Sequence, residues 1–445
     1  MTYRYHEKLL AGLVFVALLA LNCNRDAIGA DQADSVWYLN EMPILIRFYQ
    51  DLHRNPELSL AEKRTSGVIA GALKNIGAEV TTGVGGFGVV GVLKNGDGPT
   101  VLVRSDMDAL PLTEATGAAY ASQAKSTDAE GRSTGVMHAC GHDIHMACLV
   151  GCAKWLADHR ALWSGTVVLI GQPAEERVIG ARAMLDAGLY SRFPKPSAAL
   201  ALHVAHDLPA GSVGYISGPA FASSTSVDIT VKGRGGHGAM PHTANDPIVQ
   251  AAMLVVDLQS IVSRQVSPVD TAVVTVGSIH GGTKHNIIPD EVHLQLTVRA
   301  FREETRELLL DSIRRKAEGL AHAHKATKPL VEVKEGIGRT VNTPELVARV
   351  LPSLVKELGE ERVELVEPTT GAEDFGQFGE GGVPTFMFRL GTVNQGRLDE
   401  AKKGGKPLPS LHSSGYLPVA DMSIQTGVKA MSAAVVRLLP AKSSK

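Results

Sequence analysis

Residues 165–176 read Gly165-Thr166-Val167-Val168-Leu169-Ile170-Gly171-Gln172-Pro173-Ala174-Glu175-Glu176, and their reading decides the fold class. The run from Gly165 to Ile170 is short, apolar and rich in β-branched residues, and Pro173 closes it. That combination predicts a strand buried on both faces. Thr100 to Arg104 (TVLVR) and the less β-biased Ala198 to Val204 (AALALHV) are runs of the same kind. Residues 143–159 and 176–190, between these runs, carry helical patterns. So do residues 36–54, where Ile44, Leu45, Phe48 and Leu52 recur at helical spacing. Alternating strand and helix predicts an α/β fold, a mostly parallel central sheet flanked by helices on both faces. A helix at 344–358, a strand from Thr385 to Leu390 and a terminal helix at 421–438 return to this pattern.

The middle of the chain differs. Val227, Ile229 and Val231 alternate with polar residues, as do Val292, Leu294, Leu296 and Val298. Period-two alternation marks a sheet with one wet face, usually antiparallel. Two long helical patterns, at 247–264 and 302–325, share the region. We expect an inserted α+β domain at 217–334, with the α/β domain contributed by 31–216 and 335–445. Linkers near 217 and 334 permit a hinge. Residues 392–410 read as a long polar Gly/Lys/Pro-rich loop.

Composition narrows the function classes. In 445 residues, 44 Lys and Arg against 46 Asp and Glu leave a net charge of −2. That balance gives no reason to expect nucleic acid or an anionic membrane surface as partner. Hydrophobic residues at 44% exclude disorder over most of the chain. The four cysteines do not make a disulfide scaffold; Cys148 and Cys152, four apart in a helical pattern, are expected to pack as small apolar residues. At the N-terminus Arg4 and Lys8 precede the apolar run Leu9 to Leu21, and small residues follow at Gly29-Ala30. This predicts a signal peptide over 1–30 and an exported protein, periplasmic or secreted. An uncleaved anchor, or a lipid on Cys23, is the alternative. No later run is long enough to span a membrane.

The densest chemical signal is Met137-His138-Ala139-Cys140-Gly141-His142-Asp143-Ile144-His145. Imidazole and thiolate ligands suit zinc and other late first-row ions, and carboxylates also suit manganese. Glu175 and Glu176 follow a strand, where an open α/β sheet binds its ligands; one can hold metal while the other serves as general base. His203 ends another apolar run, His412 follows the polar loop, and Arg104-Ser105-Asp106-Met107-Asp108 leaves a third strand. Each has a plainer reading: helix cap, acidic first turn, core histidine, exposed histidine, turn formers. Together they are stronger, because separate strands would deliver Cys, His, Asp and Glu to one sheet edge, as a two-metal hydrolytic site requires. In the inserted region, Gly233-Arg234-Gly235-Gly236-His237-Gly238-Ala239-Met240-Pro241-His242 offers a histidine for an oxyanion on a glycine-rich segment. Asn286 is a second polar candidate there.

These motifs, from Asp51-Leu52-His53-Arg54-Asn55-Pro56-Glu57 to the His412 region, resemble the two-metal amidohydrolases. That family includes hippurate hydrolase, auxin-conjugate (indoleacetyl-amino acid) hydrolases and bacterial N-acyl-amino acid deacylases; aminoacylase and carboxypeptidase G are more distant. The resemblance implies metal ligands at Cys140, His142, Glu176, His203 and His412, with Cys140 at the bridging position. It implies Glu175 as general base and Asp106 as support for the metal site, with Arg104 standing where distant relatives have a His. His237 would polarise the scissile carbonyl, sometimes from a neighbouring subunit, and Asn286 would contact substrate. The implied cofactors are two divalent ions, manganese or zinc, with nickel and cobalt as further candidates. The implied substrate is a small N-acyl amino acid, and the inserted domain would serve as lid and as the contact of a homo-oligomer. Thr370-Gly371-Ala372-Glu373-Asp374-Phe375 departs from the family's Met-Gly-Ser-Glu-Asp-Phe, and Ser413-Ser414-Gly415-Tyr416 departs after His412. Acyl preference is therefore not transferable from any one relative. Two other functions compete: a metallo-exopeptidase on peptides with free amines, and a non-catalytic binding protein on a degenerate site.

Overall fold

In the computed structural model, residues 34–127 and 131–441 are described; the signal-peptide reading of 1–30 lies outside them. The opening run forms the strand Gly165–Gln172, buried along nearly its whole length. Alternate residues enter two different cores, which explains why the run is continuously apolar. Val167 and Leu169 join one cluster, while Val168 and Ile170 join the other. Val101 and Val103 against Leu102 divide in the same way in Thr100–Asp106.

The central sheet has eight strands among the described residues. In spatial order they are Glu79–Val84, Gly88–Asn95, Gly165–Gln172, Thr100–Asp106, Ala198–Pro209, Thr385–Val393, Val213–Tyr215 and Val363–Leu365. The four in the middle run parallel, as expected; Gly88–Asn95 and Val213–Tyr215 join them antiparallel on either side, and Val363–Leu365 runs parallel to Val213–Tyr215. The carboxyl ends of the middle four therefore share one edge. On one face lie the helix over residues 34–54 and the helices Lys63–Ile76, His142–Asp158, Pro344–Leu358 and Ala420–Leu438. On the other lie the short helices Gly180–Asp186 and Leu189–Arg192 and the Asp374–Gly382 segment. The α/β expectation holds.

His142–Asp158 is the innermost helix, buried on almost every side. It can be so because glycines let the Ala420–Leu438 helix close on it. A Cβ on Gly427 would meet Cys148 Sγ at 2.4 Å, and one on Gly151 would meet a Val428 methyl at 2.4 Å. Cys148 and Cys152 are free and buried in this contact, as small apolar residues.

The antiparallel sheet of the middle region orders Ala272–His280, Glu291–Ala300, Ser223–Lys232 and Leu330–Ile337. The two alternating patterns pair face to face, Val227 with Leu296, Ile229 with Leu294, Val231 with Val292. Their buried side packs on Pro247–Arg264 and Glu303–Ala323 through Leu254, Leu258, Leu309 and Ile313. The two chain segments joining this sheet to the central one pair with each other, Gly218–Phe221 against Thr340–Asn342.

Two expectations fail. No helix fills 176–190: a turn occupies 175–178 and helix begins at Gly180. Ala174 and Val178 both take left-handed φ, 51° each. The amides of Glu175 and Glu176 donate to Asp108 at 3.2 and 3.0 Å instead of entering a helix. The polar stretch 392–410 is not all loop, since Gln395–Lys402 is a helix whose first turn is capped by Asn394.

Candidate metal centre and active site

Each side chain of the site is carried to the common sheet edge by its own element. Gly141 sits at φ 73°, where a Cβ would strike Val204 at 2.7 Å. This turn stops the chain just before the His142–Asp158 helix and presents Cys140 and His142 together. The Gly165–Gln172 strand leads to Glu175 and Glu176, and Ala198–Pro209 carries His203. His412 comes from the loop before the last helix, tied in by its amide to the Ala139 carbonyl at 2.9 Å, with its own φ at 62°. Left-handed φ at Ala174, Val178 and His412 places backbone strain of order 1–3 kcal/mol per residue around one site.

Cys140 Sγ lies 3.3 Å from His412 Nε2 and 3.6 Å from His203 Nε2. His412 Nε2 is 3.5 Å from Glu176 Oε2, and His142 Nε2 is 3.8 Å from Glu176 Oε1. Two triads, Cys140–His142–His203 and Cys140–Glu176–His412, each hold their ligand atoms within 4.8 Å of one another, and Cys140 belongs to both. The donors also face the right way. A carbonyl can only accept, so the 2.8 Å contacts of His142 Nδ1 with Asp108 O and of His203 Nδ1 with Val204 O place both protons on Nδ1. Both Nε2 atoms then face the cluster, where a cation can take their lone pairs; at His142 it would displace a proton, because burial is outweighed by Asp106, Asp108 and Glu176, which push this imidazole up to about 10. His142 Nε2 and Glu176 Oε1 are buried with no hydrogen-bond partner, as atoms waiting for a cation would be.

The electrostatics agree. Burial, then the carboxylates of Glu176 and Glu175, push the Cys140 thiol well up. Burial, only partly offset by His142, raises Glu176 to about 7. Burial and then Glu373 and Glu176 hold Glu175 well above the usual carboxylate range. Anionic donors crowded without a cation raise one another; bound divalent charge reverses this. The residues present therefore fit a pair of divalent ions.

Other groups fall into supporting places. His145 has both ring nitrogens engaged, Nδ1 on Asp106 Oδ1 at 2.6 Å and Nε2 accepting from the Val204 amide at 2.9 Å, so it cannot also ligate. Arg104 is fully buried. It donates to Asp106 Oδ2 at 2.8 Å, Gln172 Oε1 at 2.8 Å, Glu373 Oε1 at 2.9 Å and Asp374 Oδ1 at 3.1 Å. Asp108, the unassigned partner of Asp106, accepts from the Glu175 and Glu176 amides and so shapes the turn that presents both. An arginine inside an apolar strand, and two acids before Phe375, were the signals for this network; its partners could not be read from spacing.

A cavity of about 700 Å³ opens over the cluster. Cys140, Glu175, Glu176, His203 and His412 line its base, and Ser224, Thr297 and Arg299 reach it from the antiparallel sheet. His237 and Asn286 are not brought to it. They sit together, His237 on Gly236–His237 and Asn286 just before its partner Ile287–Ile288, both exposed, with Gly238 N donating to Asn286 O.

Comparisons with known proteins place this geometry. The chain is 40% identical to hippurate hydrolase of Campylobacter jejuni over 337 residues, 74% of this chain and 83% of that one. It is 37% identical to thermostable carboxypeptidase 2 of Saccharolobus solfataricus over 355 residues, 79% of this chain and 86% of that one. A crystal structure from Bacillus subtilis, described as a dinuclear metal-binding peptidase, superposes with a TM-score of 0.73 at 29% identity, covering 90% of this chain and 99% of that one. Residues 102–403 match peptidase family M20/M25/M40, and the chain belongs to that family of hydrolases.

Proposed function

We propose that the chain hydrolyses the amide bond of N-acyl amino acids, releasing a carboxylic acid and a free amino acid. Cys140, His142, Glu176, His203 and His412 would hold two divalent ions, manganese or zinc, with nickel and cobalt suited to the same donors. The observation that carries the reading is the position of Glu175. It is buried against both ligand triads and lines the cavity, and no hydrogen bond from a described residue engages its carboxylate. When bound, the ions would polarise the acyl carbonyl, acidify water and draw the Glu175 carboxyl back toward its ionised form. Glu175 then accepts the proton of the attacking water and delivers it to the amide nitrogen as the C–N bond breaks. Asp108 holds Glu175 in place through its amide, and Asp106 holds His145 and Arg104 behind the ligands.

The carboxypeptidase relative favours a second reading, release of a C-terminal residue from peptides with free amines. A panel of N-acetyl and N-benzoyl amino acids beside free dipeptides, with manganese, zinc or EDTA, separates the two. EDTA-sensitive cleavage of blocked substrates supports the proposal; cleavage of free peptides alone supports the second reading. Glu175→Ala should lower turnover by about 10²–10⁴-fold with bound metal unchanged. Full turnover in that variant would remove Glu175 from the mechanism.

A further inference from the structure

We infer that Arg389 holds the free carboxylate of the substrate's amino-acid half, an inference that rests on the N-acyl amino acid reading above. Arg389 lies in Thr385–Val393, which runs parallel to Ala198–Pro209, and its register partner there is His203. Registered residues of parallel neighbours point to the same face, so the guanidinium stands one strand away from a metal-ligand candidate. The flanking Phe388 and Leu390 enter the opposite core, which leaves Arg389 on the cavity side.

A charge in the middle of an apolar strand needs compensation, and here it is thin. The one ion pair of Arg389 among the described residues is with Asp207 at 3.4 Å, and that carboxylate is 64% exposed against 15% for the arginine. Such a pair contributes little and yields readily to a competing anion. Arg389 Nε is buried without a hydrogen-bond partner. His206 Nδ1, on the neighbouring strand and lining the same cavity, is likewise buried without one. With the acyl carbonyl taken up at the metal-ligand cluster, the substrate carboxylate needs a separate donor in the cavity wall, and Arg389 offers unspent ones. Arg299, half-buried in the wall from the antiparallel sheet, is the competing candidate; its Nε is spent on Thr297 Oγ1 at 3.1 Å.

The test uses the metal-loaded full chain on N-benzoylglycine and N-acetylmethionine, each beside its primary carboxamide. Wild type should prefer the acids. Arg389→Met should lose about 10–100-fold in kcat/KM on the acids, the scale of a hydrogen bond to a charged group. The loss should fall mainly on KM. Its carboxamide rates should not change, which also shows that the variant folds, and Arg389→Lys should recover part of the preference. An equal loss on acid and carboxamide, or an acid preference that survives Arg389→Met and disappears in Arg299→Met, would overturn the assignment. Failure of wild type on both acids and carboxamides would instead overturn the amidohydrolase reading, and this inference with it.

Discussion

His142 Nδ1 donates to the backbone carbonyl of Asp108 over 2.8 Å, and that single bond decides which ring nitrogen faces Cys140. The same device operates at His203, through the carbonyl of Val204. Both imidazoles are thereby set as ligands before any ion arrives, so little ordering remains to be done on binding. Cys140 is the one donor common to both triads. We therefore expect Cys140→Ala to lose both ions, whereas His412→Ala, at the exposed end, should lose one and keep the other. Metal content of the purified variants by mass spectrometry decides the point. One retained ion in Cys140→Ala would show that the thiolate is not shared.

Arg104 is the keystone of a buried charge network, with Asp106, Glu373 and Asp374 all against its guanidinium. Replacing it by Met leaves three carboxyl groups in a dry site. Breaking a buried pair by removing one partner costs about 3–5 kcal/mol. Urea unfolding of Arg104→Met at neutral pH should show a loss of that order, and Arg104→Lys should recover only part, because an ammonium cannot reach the four acceptors as a planar fork does. A loss below about 1 kcal/mol would mean that the network relaxes around the vacancy.

How far these arrangements could be read beforehand depended on where the partners lie in the chain. Val167 to Ile170 announced a strand buried on two faces because both cores need apolar side chains, and the parallel sheet followed. Glu176 and His203 were legible as strand ends, Cys140 and His142 as a dense helix-start motif and His412 as a loop histidine; their joint role as ligands came from the family resemblance. The turn at 174–178 was not, because nothing in Pro173-Ala174-Glu175 marks a left-handed alanine; the Asp108 carboxylate 67 and 68 residues away creates the turn by taking the two amides. Arg104 and Glu373 are 269 residues apart, so their pairing leaves no local pattern. His237 and Asn286 were legible only as polar candidates of the same inserted region; that they lie beside each other and away from this chain's cavity is a tertiary fact.

A second buried network predicts a pH dependence. His53 Nδ1 meets Asp143 Oδ2 at 2.6 Å and its Nε2 meets Glu114 Oε1 at 3.1 Å, with all three groups almost wholly buried. Burial alone would lower the imidazole, but the bonds to Asp143 and Glu114 outweigh it and push His53 up to about 9. A histidine raised on folding contributes its stability fully below its ordinary value near 6.5, and loses it as pH rises through about 9. The contribution is on the order of 3 kcal/mol. The gap in Tm between wild type and His53→Gln should therefore be wide at pH 6.5 and narrow by pH 10. A gap unchanged across that range would mean the imidazole is neutral throughout and the bonds are not charge-assisted.

The position of His237 leads to the last prediction. One face of the Pro247–Arg264 helix leaves Ile248, Val249, Met253 and Val256 exposed, as are Ile279, in the edge strand Ala272–His280, and Ile287, next to Asn286 in sequence. We propose that another chain covers this surface, because exposed apolar side chains in such number beside the outermost strand of the described sheet suit a protein contact. A second copy of this chain is the occupant that would also give His237 a use, by carrying it over the neighbouring cavity as an oxyanion donor. Sedimentation of wild type should report a dimer, and Val256→Asp with Met253→Glu should yield a folded monomer. That monomer should bind metal normally yet lose turnover to the same degree as His237→Ala, and mixing His237→Ala with Glu175→Ala should restore part of the activity. Wild-type turnover in the monomer, or no recovery on mixing, would confine His237 to its own chain.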